Sequence, residues 1–134
     1  MFIFGVIASL GVLIGLIVIY QKSLQKDENE KNREAIYTET TGARIDDLNL
    51  TLPFVRVSLY SDFFVISYYH KIIFRYSEIS KIAIERIGLS KGIRIYHYNH
   101  GVPEKIIIWS KDNEYLLNII NEQIENITKP RNKD

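Results

Sequence analysis

The chain contains no cysteine. That absence removes disulfide scaffolds, zinc knuckles, CxxC redox sites and thiol nucleophiles together. Charge excess is missing as well: 17 Lys and Arg stand against 16 Asp and Glu, a net of +1. A dedicated nucleic-acid binder carries a large basic excess, so no nucleic-acid partner is expected. Charge of either sign is also absent from the start of the chain, the first charged residue being Lys22. What is present fits 134 residues of one small domain, with a 46% hydrophobic fraction that is too high for a disordered chain.

The uncharged start reads FIFGVIASLGVLIGLIVIY from Phe2 to Tyr20. As a helix these residues reach about 28 Å, close to the roughly 30 Å hydrocarbon layer of a bilayer. Phe, Ile, Leu and Val make up 13 of them. At roughly −0.3 to −0.6 kcal/mol each, they favour insertion by about 4–8 kcal/mol. A cleaved signal peptide wants a basic n-region, a shorter apolar stretch and an A-x-A-like site. Here the run is longer and leaves through Ile-Tyr-Gln-Lys, so a retained anchor is expected. Lys22, Lys26, Lys31 and Arg33 follow the span and nothing basic precedes it. By the positive-inside rule the N-terminus lies outside and the remaining chain in the cytoplasm. Within the span, Ala8, Gly11 and Gly15 share one stripe, a spacing that lets two helix backbones approach and favours self-association or pairing with another membrane helix.

Four stretches follow from composition: an anchor over 1–20, a polar juxtamembrane linker over 21–43, a β domain over 44–128 and a polar tail over 129–134. The linker is rich in Gln, Lys, Glu and Asn, and Thr38–Ala43 (TETTGA) reads as a helix terminator. Asp46-Asp47 reads as a solvated turn. Phe54–Tyr60, Phe63–Tyr69, Ile72–Tyr76, Lys81–Ile87, Ile93–Tyr98 and Glu104–Trp109 are short β-branched and aromatic runs separated by turn residues. They predict six antiparallel strands, and a fragment beginning after about Thr41 is expected to hold them all. Leu116, Leu117, Ile120, Ile124 and Ile127 then recur at three- and four-residue steps behind Asp112, which predicts one capped amphipathic helix ending before Pro130.

An antiparallel set of strands closed by one terminal amphipathic helix resembles the pleckstrin-homology-like fold, in its bacterial or GRAM-related form. The resemblance covers Pro53–Thr128 and rests on Val55–Tyr60 followed by Phe63–Tyr69, on Ile72-Ile73-Phe74-Arg75-Tyr76-Ser77-Glu78-Ile79, and on the helix after Trp109. It implies a six- to seven-stranded barrel or sandwich, with Leu48–Leu52 able to supply a seventh strand. Inositol-lipid binding in that family uses basic residues in the first hairpin loop. The loop here is Ser61-Asp62, so that property does not carry over.

Catalytic signals are weak. His97 and His100 are three apart on a strand end, which points them to opposite sides, and with His70 they are the only histidines. No metal or cofactor is expected. Neither a G-x-S-x-G elbow nor a Walker A spacing occurs, Gly88-Leu89-Ser90-Lys91-Gly92 being a loop. Arg56, Lys71, Arg75 and Arg94, with Tyr96 and Tyr98, occupy polar strand faces and form the candidate interaction surface, for protein or anionic headgroups. The chain thus reads as a single-pass, membrane-anchored, non-enzymatic binding or scaffolding module. The alternatives are an accessory subunit of a larger membrane complex with the β domain as a brace, and an enzyme or sensor whose site the sequence does not reveal.

Overall fold

The structure, a computed structural model, describes residues 2–129; the polar tail expected beyond Lys129 lies outside the described residues. Helix α1 (Phe2–Leu24) exposes its apolar side chains on every side from Ile3 to Val18. A helix in a soluble core buries at least one stripe. This one buries none over its apolar length, and it is long and apolar enough to cross a membrane.

Seven strands follow: β1 (Tyr37–Ile45), β2 (Leu48–Leu59), β3 (Phe63–Ser67), β4 (Lys71–Arg75), β5 (Ile79–Ile87), β6 (Ser90–His97) and β7 (Ile106–Trp109). They form one antiparallel sheet in the order β4-β3-β2-β1-β7-β6-β5, curled into a half-barrel. Alternation decides what fills its hollow: Val55, Val57, Leu59, Phe64, Ile66, Ile72, Phe74, Ile93, Ile95, Ile106 and Ile108 all point into one buried cluster. Helix α2 (Asn113–Thr128) closes the hollow over β5, β6 and the 3-10 turn Tyr76–Glu78, burying Leu116 and Ile120. Asp112 caps it, its carboxylate accepting from the Tyr115 N–H at 3.1 Å.

The seventh strand is not where the sequence suggested. Leu48–Leu52 is the first part of β2, and the additional strand is Tyr37–Ile45, drawn from the stretch read as linker and helix terminator. Paired on both edges, a threonine-rich run is a good strand, because β-branched side chains suit the pleat. Its buried polar groups are all matched. Thr41 donates to the Trp109 carbonyl, and the Glu39 carboxylate accepts from Ser110 Oγ at 2.7 Å and from the Lys111 N–H at 2.8 Å. Gly42 is a close-approach residue: a Cβ there would lie 2.8 Å from the Leu50 carbonyl oxygen. At this point β2 carries extra residues, since Thr41 faces Val55 while Ala43 faces Leu50. The first hairpin therefore turns at Asp46-Asp47, and Ser61-Asp62 turns the second. Neither turn offers a basic residue.

Candidate functional site

The stretch between α1 and β1 has only Ala35 and Ile36 as apolar residues, both at its end, yet it is folded. Backbone bonds from Glu30 and Lys31 to the Asp27 carbonyl coil it, at 2.9 and 3.1 Å. Asn32 takes a left-handed φ of 61°, a conformation asparagine tolerates. The Ile36 N–H then reaches the Leu59 carbonyl at 2.7 Å and starts the pairing of β1 with β2. The coil lies on the outer face of β2, where the sequence places Arg56 and Ser58.

Under it sits the least expected feature of the molecule. Glu30 is 0% exposed and Arg56 is 5% exposed. Arg56 Nη1 and Nη2 hold the two Glu30 oxygens at 2.7 and 3.0 Å. Its Nε donates to the Ser23 carbonyl at 3.1 Å, Nη2 also donates to the Gln25 carbonyl at 3.2 Å, and Nη1 also donates to Ser58 Oγ. A guanidinium has five N–H donors, and all are used. Glu30 is equally complete. Besides Arg56 it accepts from Tyr60 Oη at 3.0 Å and from the Asp27 N–H at 2.9 Å. Burial alone would raise the Glu30 carboxyl; the hydrogen bonds from Arg56, the Asp27 N–H and Tyr60 hold it below its ordinary value of 4.5. Burial and the Glu30 contact together push the Tyr60 hydroxyl up.

The geometry explains the placement. The final carbonyls of a helix have no intrahelical partner and carry partial negative charge. Arg56 satisfies one at the end of α1 and a second just beyond it, while Glu30 neutralises the guanidinium. The clamp thus joins three segments: the end of the apolar helix, the polar coil and the interior strand β2. It fixes the direction in which α1 leaves the domain.

Beside the clamp, Lys22 Nζ lies 4.9 Å from the Tyr69 ring at the tip of the β3–β4 hairpin. On the far side of the coil, Arg33 pairs with Asp62 at 2.5 and 3.1 Å and covers the Phe63 ring at 4.9 Å. Asn29, Arg33, Asp62, Phe63, Ile73 and Arg75 line a shallow hollow of about 370 Å³ there.

The six surface candidates do not form one patch. Arg56 is inside the clamp, because the outer face of β2 is covered by the coil. Lys71 and Arg75 are on β4, Arg75 at the hollow's rim. Arg94 and Tyr96 lie on β6, and Tyr98 just beyond it, with β1 and β7 intervening between β2 and β6. Arg94 covers the Tyr96 ring at 4.7 Å and pairs with Glu85 at 3.6 Å, while Tyr98 is 71% exposed. His97 uses both ring nitrogens within its own loop, on the Pro103 carbonyl at 2.8 Å and the Asn99 N–H at 3.1 Å. Among the described residues no group of three or more acidic or histidine side chains is placed to hold a metal ion. Along α1, Ala8, Gly11 and Gly15 are exposed, and a Cβ on either glycine would meet nothing within 4 Å.

Glu30, Tyr60 and Ser23 are the site residues that sequence reasoning missed. The available signal was the period-two row Arg56-Ser58-Tyr60, which places three polar groups on one side of a strand. Compared with known proteins, the chain matches no family model and no curated sequence.

Proposed function

We propose that the protein is a membrane-anchored, non-enzymatic binding or scaffolding module. Its pleckstrin-homology-like domain is held at the cytoplasmic face and presents a surface for protein or lipid headgroups. The observation that carries this reading is the Arg56–Glu30 clamp. By tying the end of α1 and the coil to β2, the clamp suits a module that faces the bilayer in one attitude. The seven-stranded order with its terminal helix is compatible with the pleckstrin-homology-like fold. Lys22, Lys26, Lys31 and Arg33 support the cytoplasmic placement.

Photo-crosslinking from Tyr98, which is 71% exposed, tests the reading in native membranes. A discrete protein adduct supports a protein-binding module and a lipid adduct a headgroup-binding one; no adduct from Tyr98 or Arg94 sinks the proposal for this face. Topology has its own readout. Asn49-Leu50-Thr51 and Asn126-Ile127-Thr128 are glycosylation triplets on the domain side of α1, and Asn49 is exposed. Insertion into glycosylating microsomes should leave both unmodified, and sugar at Asn49 would put the domain outside. The accessory-subunit reading is favoured by the open Ala8-Gly11-Gly15 stripe. A stoichiometric membrane partner, retained in mild detergent and lost on Gly11→Ile, would establish it.

A further inference from the structure

The clamp has a consequence for the hairpin beside it. The apolar stretch Ile3–Leu24 is 22 residues long. At 1.5 Å per residue it reaches about 33 Å, slightly more than the roughly 30 Å hydrocarbon layer. If its N-terminal end lies at one boundary, its last turn, Gln21–Leu24, emerges among the headgroups on the other side. Lys22 is in that turn, and its ammonium lies 4.9 Å from the Tyr69 ring. The hairpin tip is therefore at headgroup depth. Because Arg56 holds the Ser23 carbonyl at 3.1 Å from β2, that depth is built in.

The residues at the tip match this position. Tyr69 is 52% exposed, a large aromatic side chain at a turn where water would be a poor environment for it. His70 beside it is exposed, and Tyr20 is exposed on the last apolar turn of α1. Tyrosine is enriched where a membrane meets water, its ring among the acyl boundary and its hydroxyl in the wet layer. Lys22, over its ring, and Lys71, two residues on, supply positive charge beside it, with Asp27 an acidic group that feels Lys71.

We propose that the β3–β4 hairpin tip, Tyr69–Lys71, is a second membrane contact. The Tyr69 ring sits in the headgroup layer next to α1, with Lys22 and Lys71 beside anionic lipid phosphates. The contact rests on the reading of α1 as a membrane span. It makes the attachment two-legged, which resists tilting of the domain where a single helix would not.

The absence of native cysteine allows a direct test. In the full chain, a nitroxide is attached at His70→Cys, at Leu89→Cys or at Val12→Cys. Each variant is reconstituted into vesicles of phosphatidylcholine and phosphatidylglycerol. Leu89 is 97% exposed at the β5–β6 turn, the opposite end of the sheet, and serves as the aqueous reference. Collision of the label with a water-soluble nickel complex is then compared with collision with oxygen. At position 70 the nickel accessibility should be several-fold lower than at position 89, and Tyr69→Ser with Lys22→Gln should raise it towards the value at 89. Equal nickel accessibility at 70 and 89, with position 12 protected and rich in oxygen contact, overturns the hairpin contact and leaves the span intact. Nickel access at position 12 overturns the span and the hairpin contact with it.

Discussion

Glu30 meets Arg56 through two contacts of 2.7 and 3.0 Å, in a site from which both side chains exclude water almost completely. A buried pair of this kind is weak evidence for stability in itself, since desolvation offsets much of the attraction. Its value lies in position. A guanidinium with five donors to satisfy tolerates few arrangements of the three segments around it.

Removing one partner should therefore be costly. Glu30→Gln or Arg56→Met leaves an uncompensated buried group, at about 3–5 kcal/mol. Since this pair ties the coil to β2, undocking of residues 25–36 should precede loss of the sheet. Limited trypsin digestion reads this at Lys26 and Lys31. Both single variants should be cut there faster than the parent, and a double-mutant cycle should return a coupling well above zero. Unchanged cleavage in both would mean that the coil is held by something else.

Acid should open the same contact. The Glu30 carboxyl is held below 4.5 in the folded chain, so the folded state favours its charged form. Its contribution is complete at neutral pH, begins to shrink as pH falls past 4.5, and is lost once pH drops below the folded value. The exposed Asp62, held low by Arg33, titrates in the same direction. Trypsin cannot follow this window. The protection of the Asp27 and Glu30 amides, taken relative to their intrinsic exchange rate at each pH, can, and it should fall as pH drops below 4.5. Glu30→Gln should already show low protection that does not change with pH. Identical profiles for parent and variant would remove Glu30 from the transition.

The terminal helix divides two residues that the heptad-like spacing treats alike. Ile120 is fully buried in the main core, whereas Ile124 only packs against its margin. Ile120→Ala should cost about 2–5 kcal/mol by lost burial and the cavity left behind. Ile124→Ala should cost clearly less. Denaturant melts of both variants check the order, and equal losses would mean that α2 lies deeper than its contacts indicate.

Why some of this was legible and some was not follows from what carries each element. Alternation announces Phe54–Tyr60 and the strands like it, continuous apolar runs announce β3 and β7, which are buried on both faces, and the 3.6-residue period announces α2. β1 buries Glu39, Thr41 and Ala43, and its polarity is compensated by partners up to 72 residues distant, such as the Lys111 N–H. Local pattern contains no record of such partners. The clamp is hidden for the same reason. A charged residue in a strand reads as solvent-facing, and only the three-dimensional path of residues 25–36 covers Arg56. The surface candidates scatter for a different reason: period two assigns a side of the sheet but not a position across it, so residues on β2, β4 and β6 share a pattern without sharing a place.

The corrected place of the seventh strand changes where the domain can be cut. A fragment starting after Thr41 is reasonable only if everything before it is linker. It would remove Tyr37–Thr41, which pair with Val55–Leu59 in the middle of the sheet. What remains of β1, Gly42–Ile45, would then have to join the β2–β4 and β5–β7 halves of the sheet with less than half of its pairing to β2 left. Such a fragment should be soluble in part but lack a cooperative melt. A fragment starting at Gln25 keeps β1, the coil and Glu30, and loses only the Ser23 carbonyl from the Arg56 set. It should melt cooperatively, with the mixed β and helical circular dichroism of the intact domain. A third fragment starting at Ile36 keeps the sheet but strips the coil from β2, exposing Arg56, Ser58 and Tyr60 to water. It should fold with lower stability than the Gln25 fragment and show no loss of stability between pH 4.5 and the folded Glu30 value. Cooperative unfolding of the Thr41 fragment at the stability of the Gln25 fragment would contradict the central role given to β1.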